Sequence, residues 1–203
     1  MQIKNDIIIP TNNEEILLNR CISMGIREVI LAYKKITNDL LIKLKKLQKL
    51  YKINIKYGII INSKKSSNYM LRIKRQYPDL IIIINYEPNK DIIRNIIERV
   101  SDIYIYNIEF DKRVDFIHQR NSGINHILAK IISKNNISLI INFNNYILSS
   151  KKDQARILGR IKQNLLLAKK FSFNYNVKSF ANYPYEIKSS LSSLKRVLTK
   201  NHI

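Results

Sequence analysis

Three observations predict an α/β fold of the TIM-barrel-like (βα)n kind, one domain across residues 1–203. First, short β-branched runs alternate with longer amphipathic runs from end to end. Second, several of the short runs are nearly continuous isoleucine, as expected of parallel strands covered on both faces. Third, 203 residues with 45% hydrophobic and 25% charged side chains suffice for a full core. A doubly wound open sheet is the alternative arrangement of the same units.

Eight strand candidates follow in order: 6–10 (DIIIP), 27–33 (REVILAY), 53–61 (INIKYGIII), 79–84 (DLIIII), 102–106 (DIYIY), 113–117 (RVDFI), 137–143 (ISLIINF) and 176–181 (NVKSFA). Between them NEEILLNRCISM, NDLLIKLKKLQKLY, NKDIIRNIIERV, GINHILAKIISK and KKDQARILGRIKQNLLLAKKF carry apolar stripes at helical spacing. Thr11 or Asn12 is expected to cap the first, Asn38 the second, and Pro88 to open the helix after 79–84. Only six residues separate 102–106 from 113–117, too few for a parallel crossover, so the repeat is expected to be irregular around 102–118. No linker, low-complexity tract or further internal repeat divides the chain.

Thirty-six Lys and Arg against fifteen Asp and Glu give a net charge of +21, which favours a polyanion, nucleic acid before an acidic membrane surface. An AT-rich coding bias would also enrich lysine. From Arg120 to Lys200, fifteen cations face only Asp153 and Glu186, a local net of +13. Cys21 is the one cysteine, so an intrachain disulfide is excluded and the reducing cytosol is the expected compartment. Its place beside Leu18 and Ile22 on an apolar helix face fits a packed thiol better than a nucleophile. No run reaches the length of a membrane span, and the apolar start reads as a first strand, not a signal peptide.

The histidines are His118, His126 and His202, with no HxH or HExxH pair, which is thin for a metal centre that needs three or more ligands. A free-standing metal-dependent phosphoesterase would have to use Asp6, Asp115, His118 and His126. With glycine only at 25, 58, 123 and 159, no phosphate-cradling glycine loop exists. What remains is basic patterning. In 151–171, Ala155, Leu158, Ile161, Leu165 and Ala168 read as the buried stripe, while Lys152, Arg156 and Arg160 recur one turn apart on another face. Three such cations repel unless an anion such as a phosphate backbone compensates; a solvated basic face is the plain alternative. The helix of 38–51 carries scattered lysines and fits the plain reading better. Tyr183 and Tyr185, flanking Pro184 near Lys178 and Lys188, either stack on bases or pack against a neighbouring helix.

RNSGINHILAK, NNISLIINFNNYI, ARIL and SFANYPYEIK, in this order and spacing between Arg113 and Leu198, resemble the archaeal and eukaryotic ribonuclease P protein component 3 family. Upstream the resemblance rests on the βα rhythm and Asp6 in the first strand. It implies a TIM-barrel-like subunit of an RNA-based endonuclease that removes the 5′ leader from precursor tRNA. It also implies that the RNA with its Mg²⁺ carries the chemistry and the polypeptide binds no cofactor. The implied partners are ribonuclease P RNA, precursor tRNA indirectly, and other protein subunits, among them component 2 in a heterotetramer. The family's Ser-Gly-x-x-His phrase falls on Ser122, Gly123 and His126, with its following basic position at Lys130. Its helix cation falls on Arg156 and its arginine of the penultimate motif on Lys188. Together with the basic face, this gives His126, Lys130, Lys152, Arg156, Arg160 and Lys188 as the expected RNA-binding set. Departures fall at Asn121, Ser190 and Ser192, and the family's small-residue strand end reads here as Lys178, Ser179, Phe180 and Ala181. In RVDFIHQRNSGINHILAK, Asp115 is expected to end a strand and Gly123 to make the turn. Ile124, Ile127, Leu128 and Ile131 are expected to bury the helix.

Overall fold

The computed structural model describes residues 5–88, 90–116 and 120–188, the side chain of Lys90 excepted. Seven parallel strands form one sheet in sequence order. They are β1 (Asn5–Ile8), β2 (Glu28–Tyr33), β3 (Asn54–Asn62), β4 (Ile81–Asn85), β5 (Tyr104–Tyr106), β6 (Ser138–Asn142) and β7 (Tyr175–Lys178). The helices are α1 (Glu14–Ser23), α2 (Asn38–Leu50), α3 (Ser67–Gln76), α4 (Lys90–Arg99), α5 (His126–Lys134), α6 (Phe143–Leu148) and α7 (Lys151–Phe171). An in-order parallel sheet with helices between its strands curls into a barrel, and this one nearly closes.

Strand alternation sorts the isoleucines into two layers. Ile7, Ile30, Ala32, Ile83, Tyr106, Ile140 and Phe180 come from strands all round the sheet and pack on one another, so they fill the barrel interior. Within it the rings of Tyr106 and Phe180 stack with centroids 4.4 Å apart. The next residues along, such as Ile8, Val29, Leu31 and Ile55, face outward onto Leu17 and Leu18 of α1 and Leu44 and Leu47 of α2. Larger still is the outer layer around β3 to β6, where α3, α4 and α5 contribute Met70, Ile93, Ile97, Ala129 and Ile132. At Gly58 a Cβ would lie 2.7 Å from Ile83 Cδ1, so a side chain there would require the end of Ile83 to move.

The barrel closes through a short seam. Beyond β7 the chain bends at Phe180, whose φ of 52° turns its ring inward, and a single bridge joins Ala181 to Ile8. Phe180 N–H donates to the Ile7 carbonyl (2.8 Å) and Ile9 N–H to the Ala181 carbonyl (2.8 Å). Buried Asp6 completes the closure: its carboxylate accepts from Ser179 N–H (2.7 Å), Ser179 Oγ (2.6 Å) and Ile7 N–H (2.9 Å).

The predicted strand at 113–117 does not form in its described part, 113–116. β5 and β6 pair directly, Tyr104 opposite Ser138, which leaves no slot between them. Asp115 therefore sits in a loop, not at a strand end. Capping also shifts by a residue: Thr37, not Asn38, caps α2 by accepting from Leu40 N–H, and α1 starts after Asn13. Ile124 is buried as expected and Leu128 and Ile131 pack half-buried on the core, but the fully buried positions of α5 are Ala129 and Ile132 and Ile127 is 48% exposed, so the apolar stripe is rotated by about one residue from the expected one.

Candidate nucleic-acid interface

Among its described residues, the segment from β5 to α5 lacks regular structure beyond one 3-10 turn (Ile108–Phe110), so their backbone groups need partners from elsewhere. α7 supplies them. Twenty-one residues long, it outreaches its neighbours; it packs on α5, and its middle, from Gly159 to Asn164, lies against the described residues of the loop between Glu109 and Ser122. Arg160 is wholly buried there. Its Nε donates to Asp115 Oδ1 (2.9 Å) and its Nη atoms to the carbonyls of Glu109 (3.1 Å), Asp111 and Arg113. One planar guanidinium thus fixes four points of a loop that has no ladder of its own.

Further along α7, Gln163 donates to the Arg120 carbonyl and to Ser122 Oγ (both 3.0 Å) and accepts from Arg120 N–H (3.0 Å). Asn164 donates to Glu109 Oε1 (3.1 Å) and the Ser122 carbonyl (3.3 Å). Tyr175 OH donates to the same Glu109 oxygen (2.6 Å). Burial raises the Glu109 carboxyl above its usual range against these bonds, and it pushes the Tyr175 phenol well up too. At Asp115, burial acts in the same sense. It is outweighed by the Asn121 N–H and by Arg160 and Arg120, which hold that carboxyl below its usual range. Gly123 makes the expected turn at φ 85°, where a Cβ would come within 2.7 Å of Ile108.

Around this braced loop opens a cleft of about 400 Å³, lined by Arg94, Arg113, Phe116, Arg120, Ile124 and Leu128 among others. Val114 (85% exposed) and Phe116 (62%) stand on its loop. Cations beside unburied apolar groups suit a phosphate-bearing or acidic surface.

The expected RNA-binding residues distribute unevenly. His126 and Lys130 are exposed on α5; His126 borders a groove shared with Gln163, Leu166 and Lys170 of α7. Lys152 is exposed in the first turn of α7, and Arg156, one turn on, is 30% exposed and ion-paired to Asp153 (2.7 Å). Lys188 is exposed beyond β7. Arg160 is the correction: it is buried and offers no surface to RNA. The buried positions of α7 are Ile157, Arg160, Ile161, Asn164 and Ala168, a stripe rotated from the expected one, which leaves Ala155 exposed. His118, His202, Ser190 and Ser192 lie outside the described residues.

Sequence reasoning missed the strand ends. Asn62, Asn85 and Asn142 close β3, β4 and β6, and Asn107 follows β5. Asn107 donates to Asn85 Oδ1 (2.8 Å), Asn145 to Asn107 Oδ1 (3.1 Å), and Asn62 to Glu87. Amides thus occupy the barrel face where barrel enzymes place catalytic groups. Asparagine repeating at strand ends was the available signal, masked by the abundance of asparagine throughout. Among the described residues no group of three or more His, Cys, Asp or Glu is placed to hold a metal ion. Nor is any helix among them long and apolar enough to cross a membrane.

No family model matches the chain. Curated relatives do. Ribonuclease P protein component 3 of Methanococcus maripaludis (strain C5) is 30% identical over 127 residues, 63% of this chain and 52% of the relative. Its counterpart in Methanocaldococcus jannaschii is 32% identical over 71 residues, 35% and 31% of the two chains. The chain is similar to ribonuclease P protein component 3. The resemblance to that family is thereby borne out, although the chain spans about half the length of the curated relatives it matches. Among solved structures, a chain of archaeal ribonuclease P with mature tRNA aligns with a TM-score of 0.76 and 21% identity. The alignment covers 95% of this chain and 82% of that one. A zinc-bound amidohydrolase from Burkhoderia ambifaria aligns at TM-score 0.53 and 12% identity, over 87% and 60%. Both share the barrel fold.

Proposed function

We propose that the chain is a protein subunit of ribonuclease P, the RNA-based endonuclease that removes the 5′ leader of precursor tRNA. The observation that carries this reading is the sequence similarity to proteins named ribonuclease P protein component 3. The barrel shared with a chain of archaeal ribonuclease P and the net charge of +21 support it. In this role the polypeptide performs no bond cleavage. Lys152, Arg156, Lys130, His126 and Lys188 neutralise phosphates and release counterions, which stabilises the folded catalytic RNA. Mg²⁺ belongs to that RNA in this reading. Precursor tRNA is met indirectly, and the protein partner is ribonuclease P protein component 2, in a heterotetramer, in the cytoplasm.

A metal-dependent phosphoesterase finds less support. Asp6 is engaged in the barrel seam and Asp115 with Arg160, so the carboxylates that such chemistry needs already have structural partners. Reconstitution tests the proposal. Adding the chain to ribonuclease P RNA and the remaining subunits is expected to raise precursor-tRNA cleavage at fixed Mg²⁺. Unchanged cleavage, or failure of the chain to capture ribonuclease P RNA, would overturn it.

A further inference from the structure

Beyond β7 the chain carries an exposed aromatic pair that the barrel does not use. Tyr183 and Tyr185 flank Pro184 on a 3-10 turn (Pro184–Glu186), with ring centroids 5.6 Å apart and planes within 3° of parallel. They are 48% and 69% exposed, whereas the stack of Tyr106 on Phe180 is buried. Two large rings left in water lose the burial that usually stabilises an aromatic pair.

Their turn is rigid. Glu186 Oε2 accepts from Asn182 N–H (2.6 Å) and Tyr183 N–H (3.1 Å), and Asn13 Nδ2 donates to the Asn182 carbonyl (2.8 Å), tying the turn to the start of α1. Ala181 bridges to β1 on one side and Ile187 is fully buried on the other. The rings are therefore presented by a fixed backbone, and ordering them on a ligand costs little. Lys188, exposed, follows one residue after Ile187.

We infer that Tyr183 and Tyr185 form a stacking platform for an unpaired nucleobase, with Lys188 meeting the adjoining phosphate. A base has the flat π-face that continues such a stack, and stacking is indifferent to sequence, whereas a duplex hides its base faces. The platform thus selects single-stranded or bulged RNA, while the α5 and α7 cations accept either form. The inference rests on the RNA-binding reading but not on which RNA is bound.

The experiment measures affinity of the full chain for labelled oligouridylate and for an RNA duplex of equal length. Y183A/Y185A is expected to weaken oligouridylate binding about tenfold or more and leave duplex affinity within twofold. Y183F/Y185F retains binding, because phenyl rings still stack. K188Q lowers the salt slope of oligouridylate binding by about one, while the tyrosine variants do not change it. Unaltered oligouridylate affinity in Y183A/Y185A would overturn the inference, as would equal losses on both RNAs. So would loss of subunit capture with RNA affinity intact, which marks a protein contact. Tyrosine-dependent oligouridylate binding by a chain that fails to support precursor-tRNA cleavage would uphold the platform and reject the ribonuclease P role.

Discussion

Arg160 shows how one side chain changes meaning with its surroundings. In the sequence it is the third of three cations one turn apart; in the fold it is the brace of the 109–115 segment. R160A leaves three carbonyls without this donor and Asp115 with only Arg120 and the Asn121 N–H, and is expected to cost about 3–5 kcal/mol in urea unfolding. Glu109 is the complementary residue. Burial raises its carboxyl in the folded state, so its stabilising contribution is present below the unfolded pKa and is lost as pH rises through the raised folded value. E109Q keeps an acceptor for Tyr175 and Asn164 but cannot ionise. Its stability relative to the parent chain is expected to climb as pH rises above the ordinary carboxylate range; parallel profiles in chemical denaturation would reject a titrating Glu109.

At the scale of elements, the βα rhythm was readable because isoleucine runs and amphipathic stripes have different periods. Seven of the eight strand candidates overlap observed strands. The eighth, at 113–117, alternates as a strand should, but pairing is a property of neighbours, and β5 and β6 had already paired. The stripe of α7 was ambiguous for a related reason: with Leu158, Leu165, Leu166 and Leu167 the helix is apolar on more than one side. Gly123 was legible as a turn because the two residues before it, Asn121 and Ser122, are polar and small. The seam depends on Ser179, which serves Asp6 through both N–H and hydroxyl. S179A removes one bond to a buried carboxylate, an expected loss of about 1–3 kcal/mol. Hydrogen exchange should quicken first at the amides of Ile9 and Phe180; a uniform change across the sheet would mean the seam is not a separate unit.

At the scale of the whole molecule, charge was the most legible functional signal and its address the least. Composition states that a polyanion is welcome, but only the fold separates Lys152 and Arg156, which reach solvent, from Arg160, which does not. K152Q/R156Q is accordingly expected to lower the slope of log affinity against log salt by about two, one unit for each lost phosphate contact. Nitrocellulose binding across a salt series reads this directly, and an unchanged slope would place the RNA elsewhere. The amides at the strand ends bear on the same chemistry from the other side. Carboxamides do not change charge where carboxylates and imidazoles do, and they are poor competitors for hard cations. These four side chains therefore keep one hydrogen-bonding pattern as acidity changes, and beside them it is the Glu87 carboxylate, held below its usual range by Lys64, that responds to acid.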